Sequence, residues 1–385
     1  MSDIHTLSAS ATRLRAAIAA ASRGLVERET LVELVALAAV AGEHLLVIGP
    51  PGTAKSEAVR RVARALGGNY FEYLLGRFTE PSEIFGPVDL RKLREGLVET
   101  ETSGMLPEAE IAFLDEIFQG STAILNTLLG LLNERVFRRG HTLINCPLRV
   151  CVGAANALPA DEALAAFADR FLLRVFVDSI PDPRLEELLA GGWGLQQMAL
   201  TETATLTELD ALARAALAAD LTTVRPRLAH AIRLLRNAGI TLSDRRAVRA
   251  QRMIAAAAAL AGRATPAEAD IWPLVFIVPT AQQQALARDV LRDTLAATEN
   301  AALPAAAEEA SAGPRARATR LAALGEAALR EMPAADDAAA LEAWKLRLEG
   351  IAREIDASVA AEQMPEQLSA IRRTIVGALE QTATV

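Results

Sequence analysis

The stretch "LLVIGPPGTAKS", Leu45 to Ser56, places a lysine and a hydroxyl side by side behind a turn rich in glycine and proline. The phosphate-binding pattern is G-x-x-x-x-G-K-[ST]. Gly49, Lys55 and Ser56 meet it, whereas Ala54 stands where the pattern has its second glycine. Pro50, Pro51, Gly52 and Thr53 fill the turn. Its backbone N–H groups, helped by the dipole of a following helix, suit phosphate oxygens. Lys55 would meet the β- and γ-phosphates, and Ser56 would ligate Mg2+. Alanine fits at position 54 if its φ is negative, as in the first turn of a helix. The expectation is therefore a helical Ala54, with Gly52 as the flexible point.

A second candidate is "IAFLDEIF", in which four apolar residues end in Asp115 and Glu116. Desolvating a carboxylate is costly, so two adjacent acids at the end of a buried strand call for a reason. Asp115 suits the Mg2+ shell, and Glu116 can orient or deprotonate an attacking water. Asn156, in "VGAANALP", follows another strand, where a neutral amide can hold a water or a phosphate oxygen. Arg170 precedes the run "FLLRVFV" and would neutralise charge on a neighbouring copy's nucleotide. Arg245 and Arg246, in "SDRRAVR", start a helix, and one of them would reach the γ-phosphate from a helical domain. An arginine at any of these places can equally be a solvated ion-pair partner.

These residues need a scaffold. Leu45–Ile48, 70–75, 111–114, 148–154 and 171–177 are short apolar runs of the kind that form buried parallel strands. Helical patterns separate most of them, notably Ser121 to Asn133. Alternating strands and helices imply a parallel sheet covered on both faces. Two helices, at about Ser8–Ala21 and at "RETLVELVALAAVAG", precede the first strand. Ile84–Pro107 reads as a loop or hairpin insertion. After the linker "SIPDPR", residues 185–260 are almost wholly helical, and "IWPLVFIVP" is ambiguous between helix and strand. "ENAALPAAAEEASAGPRA" reads as a second linker, followed by three helices at 317–331, 336–357 and 365–382.

The chain has 385 residues, more than one ordinary core holds. Its 51% hydrophobic content marks it as globular. A net charge of −8 without a long basic run disfavours a dedicated nucleic-acid binder. Cys146 and Cys151 fit no zinc or redox spacing and read as reduced cysteines in or near a strand, and the four histidines form no ligand pair. The N-terminal "MSDIHTLSAS" has no signal design, and runs such as Ala255–Ala261 are too short to span a bilayer. A cytoplasmic protein without a membrane span is expected.

Several segments occur together in the order found in one family: "RGLVERE", "GPPGTAKS", "RFTEPSEIFGPVDL", "GMLPEAEIAFLDEIF", "AILNTLLGLLNERVFRRG", "AANALP", "FADRFLLRVFVD" and "SDRRAVR". They run from Arg23 to Arg249, and the chain resembles a MoxR-family AAA+ ATPase, with the RavA (regulatory ATPase variant A) branch as the nearest likeness. The resemblance implies an α/β P-loop core over residues 1–183, with a five-stranded parallel sheet, then an all-α lid over 184–285 and a C-terminal helical bundle over 286–385. It implies ATP and Mg2+ as ligands. Lys55 and Ser56 match Walker A, Asp115 and Glu116 match Walker B, and Asn156 matches sensor 1. Arg170 matches the trans arginine finger, Arg245 most nearly matches sensor 2, and Leu25 and Val26 match the segment flanking adenine. Ile84–Pro107 corresponds to the insertion of the helix-2-insert clade. Such proteins form homo-hexamers and work with a von Willebrand factor A-domain (vWA) protein on a target complex. The β-rich insert of the RavA branch has no counterpart in this sequence. A nucleotide-gated assembly switch and a DNA-directed ATPase are the alternative functions.

Overall fold

The structure, a computed structural model, describes residues 2–180, 182–195, 203–312, 314–333, 338–358 and 364–383. The apolar runs form β1 (Leu45–Ile48), β2 (Tyr70–Leu74), β3 (Ile111–Asp115), β6 (Val150–Ala155) and β7 (Leu173–Phe176). They make one five-stranded sheet in the order β2-β3-β6-β1-β7. All four pairings are parallel. The expected sheet is therefore present. Between β3 and β6, β4 (Val136–Arg139) and β5 (Thr142–Asn145) form a separate antiparallel hairpin. Its two-residue loop, Gly140-His141, has positive φ at the glycine alone, as in a type II′ turn.

Side chains alternate across the sheet. Val47, Phe113, Val152 and Val175 face one core. Leu46, Ala112, Leu114 and Cys151 face the other. The first core takes the helices Ser2–Ser22, Glu29–Ala41 and Lys55–Leu66, and continues without a break into the helices Leu206–Leu217 and Asp244–Leu260. The helix Glu29–Ala41 is buried from Leu31 to Val40, which explains why it is apolar on every side. It ends at Gly42, a left-handed cap with φ 65°. The second core takes Thr122–Glu134, capped by Ser121, and Glu162–Ala168, capped by Asp161. The helices Pro314–Arg330, Ala338–Ser358 and Glu366–Ala383 enclose a third core around Leu321, Trp344, Leu348 and Ile375.

One segment departs from the expectations, and two that were open are resolved. The 299–316 linker contains a helix, Pro304–Ser311, whose Ala306, Ala307 and Ala310 are buried between the Glu29–Ala41 helix and the C-terminal bundle. Alanines there pack closely, where composition suggested a spacer. "IWPLVFIVP" resolves as one helical turn, Leu274–Ile277, wholly buried. Ile84–Pro107 is ordered: a short helix, Leu90–Arg94, sits inside an antiparallel bridge between Val88 and Thr100. Cys146 and Cys151 are free and buried, and burial pushes their thiols up to about 11 and about 12. Among the described residues no helix is long and apolar enough to cross a membrane.

Candidate functional site

β1 delivers the chain to Gly49, where a Cβ would lie 2.1 Å from the Val177 carbonyl oxygen. Only glycine lets the loop pass this close to the end of β7. The Gly49 N–H donates to Ala155 O at 3.1 Å, tying the loop to β6 as well. The loop then turns through Gly52 (φ 76°) and Ala54 (φ 57°) into the helix Lys55–Leu66. The flexible point expected at Gly52 is present. The helical Ala54 is not. Ala54 is the left-handed N-cap of the helix, so the missing glycine is a departure the backbone carries as strain of about 1–2 kcal/mol. The loop keeps its path because its neighbours fix it on both sides.

One of those neighbours is Arg28, which the sequence reading passed over. It is 4% exposed. Its Nε donates to Thr53 O at 2.7 Å and its Nη2 to Asp178 O at 2.6 Å. Its Nη1 donates to Glu27 O at 2.6 Å, and Glu27 is itself left-handed. Burial lowers its pKa, against the opposing fields of Glu27, Glu29 and Asp178. Arg28 thus clamps the loop to the end of β7. The only sequence signal was its place in "RGLVERE"; an arginine before a helix otherwise reads as solvated. Leu25 and Val26, 5% and 6% exposed, lie just before this clamp.

The Lys55 ammonium turns back over the loop and donates to Gly49 O at 2.7 Å and Pro50 O at 2.9 Å. Burial lowers its pKa, while Asp115 and Glu116 oppose the shift. Thr53 Oγ1 donates to Pro50 O. The Ser56 residue is half-buried, with no side-chain hydrogen bond among the described residues. Asp115 accepts the Glu116 N–H on Oδ1 at 2.9 Å, which leaves Oδ2 open. Glu116 is left-handed (φ 49°) and its Oε1 accepts from Asn156 Nδ2 at 2.8 Å. Lys55, Asp115, Glu116 and Asn156 thus gather at the C-terminal ends of β1, β3 and β6. Of the five non-glycine residues with positive φ among the described residues, Glu27, Ala54 and Glu116 line this one place. Strained backbone concentrates at such sites.

The donor set fits a nucleotide and a hard cation. The first-turn N–H groups of the helix Lys55–Leu66 face the loop, as at other phosphate-binding helix starts. Among the described residues no cluster of three His, Cys, Asp or Glu side chains could hold a metal alone. One hydroxyl and one carboxylate suit Mg2+, which shares its shell with phosphate oxygens and water.

The arginines lie elsewhere. Arg170 precedes β7, and β7 is parallel to β1 with Leu173 beside Leu45. Arg170 is therefore at the N-terminal edge of the sheet, on the order of 15 Å from the loop at the opposite edge. Its Nε is buried without a partner among the described residues. Arg246 is 2% exposed and fully engaged: with Asp169 Oδ1 at 2.6 Å, Leu172 O at 2.8 Å, Ile277 O at 2.6 Å and Phe171 O at 3.1 Å. It is a structural tie between the helical region and β7. Arg245 is exposed and reaches Asn133 at 3.5 Å. Both sit at the Arg170 edge. Neither approaches the loop of its own chain, because the helix Asp244–Leu260 packs against the opposite edge of the sheet.

Residues 12–214 match the family model described as the MoxR domain in the MoxR-vWA-beta-propeller ternary systems. The chain belongs to the MoxR family. Relatives include the uncharacterized protein MJ0812 of Methanocaldococcus jannaschii, 35% identical over 248 residues, 64% of this chain and 66% of that protein. The Chaperone MoxR1 of Mycobacterium tuberculosis is 28% identical over 188 residues, 48% of this chain and 47% of that one. A solved structure from Cytophaga hutchinsonii superposes with a TM-score of 0.61 over 77% of this chain and 97% of its own, at 14% identity, a likeness of fold. The chain covers 66%, 41% and 27% of the lengths of the first three relatives. This MoxR-family chain thus has an AAA+-like ATPase fold, and that class implies nucleotide binding.

Proposed function

We propose that the chain hydrolyses ATP at a site completed by a second copy, in a ring that is a homo-hexamer, and uses the turnover to remodel or activate a partner protein complex. The observation that carries this is the division of the charged groups. Lys55, Asp115, Glu116 and Asn156 gather at one edge of the sheet, and Arg170 and Arg245 stand at the other. A ring that sets one edge against the other joins them.

In this reading Lys55 exchanges its two carbonyl partners for phosphate oxygens. Ser56 and Asp115 would hold Mg2+, which would supply neutralisation of phosphate charge. Glu116, released by Asn156, orients and deprotonates the attacking water. Leu25 and Val26 flank the adenine. Arg170 meets the neighbour's γ-phosphate, and Arg245, not Arg246, is the second sensing arginine, also across the interface. The family model comes from MoxR-vWA-beta-propeller systems, which supports a vWA-domain partner. Placement in the RavA branch rests on motif order alone.

A slow, nucleotide-gated switch is the second reading. It is favoured by the self-engaged site, with Lys55 on loop carbonyls and Glu116 held by Asn156. Two variants separate the readings. Lys55→Ala should abolish ATP binding in calorimetry. Glu116→Gln should bind ATP normally and lose at least about a hundredfold in turnover, the scale of general-base catalysis. Unchanged affinity in the first would remove the loop assignment. Parent-like turnover in the second would leave only the switch.

A further inference from the structure

The segment Leu90 to Val98, "LRKLREGLV", is exposed at every residue. Leu90, Leu93, Leu97 and Val98 are 68%, 45%, 41% and 42% exposed. Such a display is unfavourable in water, and a floppy loop would relieve it by collapse. This one is built to persist. Asp89 caps the short helix through the Arg91 and Lys92 N–H groups. Gly96, at φ 84°, reverses the chain, so that Leu97 N–H donates to Lys92 O at 2.9 Å. Asp89 N–H donates to Glu99 O and Glu101 N–H to Pro87 O. The β4–β5 hairpin braces the far side: His141 N–H donates to Val98 O at 2.8 Å, and Thr100 N–H to Thr142 Oγ1 at 2.8 Å.

Basic side chains outnumber acidic ones at the tip of the insertion, whereas Asp89, Glu99 and Glu101 flank its base. Arg91, Lys92 and Arg94 stand against Glu95 alone within the segment. Lys92 is paired with Glu99. The Arg91 and Arg94 guanidinium groups make no ion pair or hydrogen bond among the described residues. On the bracing hairpin Leu143 is 67% exposed, opposite Arg138, whose guanidinium is paired with Glu134 at 3.7 Å.

We propose that this insertion and hairpin form a docking surface for an acidic polypeptide segment with apolar residues interspersed among its carboxylates. The free guanidinium groups select carboxylates. The leucines select peptide over nucleic acid, because a phosphate backbone offers them no apolar partner. The inference deepens the reading of the chain as one that acts on a protein, and is independent of whether it hydrolyses ATP.

The test is fluorescence anisotropy of the full chain, with and without ATP, against a labelled (Asp-Leu-Glu-Gly)4 peptide. Binding should weaken with salt. Arg91→Glu with Arg94→Glu, and separately Leu90→Ser with Leu93→Ser, should each weaken it about tenfold or more, with parent-like circular dichroism and ATP affinity. Equal binding of a lysine-for-acid peptide, equal binding of a DNA oligonucleotide, or indifference to both double variants would each overturn the proposal. So would sedimentation showing that the leucine pair instead mediates self-association. Peptide binding without ATP turnover would keep this inference and remove hydrolysis.

Discussion

At the scale of single residues, the site depends on backbone that its own residue types disfavour. Ala54 occupies a left-handed conformation that glycine would adopt without cost. Ala54→Gly should therefore raise the stability of the ligand-free chain by about 1 kcal/mol, seen as a higher urea midpoint at an unchanged slope. A lower midpoint would mean that the loop is not strained there. The loop, the acid pair and Asn156 were legible because strand, turn and residue type coincide within a few positions. Arg28 was not, because its partners Thr53 and Asp178 are 25 and 150 residues away and are backbone carbonyls, which leave no trace in residue type. The conformation of Ala54 was misread for a related reason: the sequence identifies a helix start, while the φ of the residue before it is set by the clamp.

At the scale of elements, the helix Pro304–Ser311 joins the C-terminal bundle to the core through its buried alanines and the Glu33 carboxyl. Glu33, 5% exposed, accepts from Ala306 N–H at 2.7 Å and Ala305 N–H at 3.2 Å. Burial pushes the Glu33 carboxyl up to about 8 from an ordinary 4.5, and Glu29 and Glu309 add like charge. A carboxyl held above its unfolded value keeps its proton more firmly in the folded chain. Its contribution to stability is thus intact below about 4.5 and falls as pH rises toward about 8. Glu33→Gln should remove that slope. Between about pH 5 and pH 8.5 the parent should lose more than about 1.4 kcal/mol relative to the variant in urea unfolding. Parallel pH profiles would show that Glu33 ionises freely. The five strands were legible as apolar runs of the right length. The helix Pro304–Ser311 and the β4–β5 hairpin were not: one is alanine-rich like a linker, and the other alternates polarity in "VFRRGHTLIN" too briefly to stand out beside the preceding helix.

At the scale of the whole molecule, the parallel sheet decides the chemistry. It separates Arg170 from the loop of its own chain by the length of β1 and β7. Arg170→Ala should lose turnover alone, and recover part of it when mixed with Lys55→Ala, because mixed interfaces pair an intact loop with an intact arginine. Absence of recovery at any ratio would remove Arg170 from the shared site. The parallel direction of the strands was readable from the sequence, as was Arg170 at the entry to β7, but the strand order was not. The location of Arg245 was not, because it depends on how the helix Asp244–Leu260 docks, through Arg249 and Arg252 on the buried Glu43 and through Arg246 on the carbonyls before β7.

In the proposed ring the active site is made between copies. The measurement that tests it most directly is the steady-state ATPase rate per chain as a function of protein concentration, with Mg2+ and saturating ATP, alongside light scattering. A rate per chain that climbs as the ring assembles is the expected result. A substantial rate that stays constant down to concentrations where scattering shows only single chains would place the whole site within one copy and rule out a shared one.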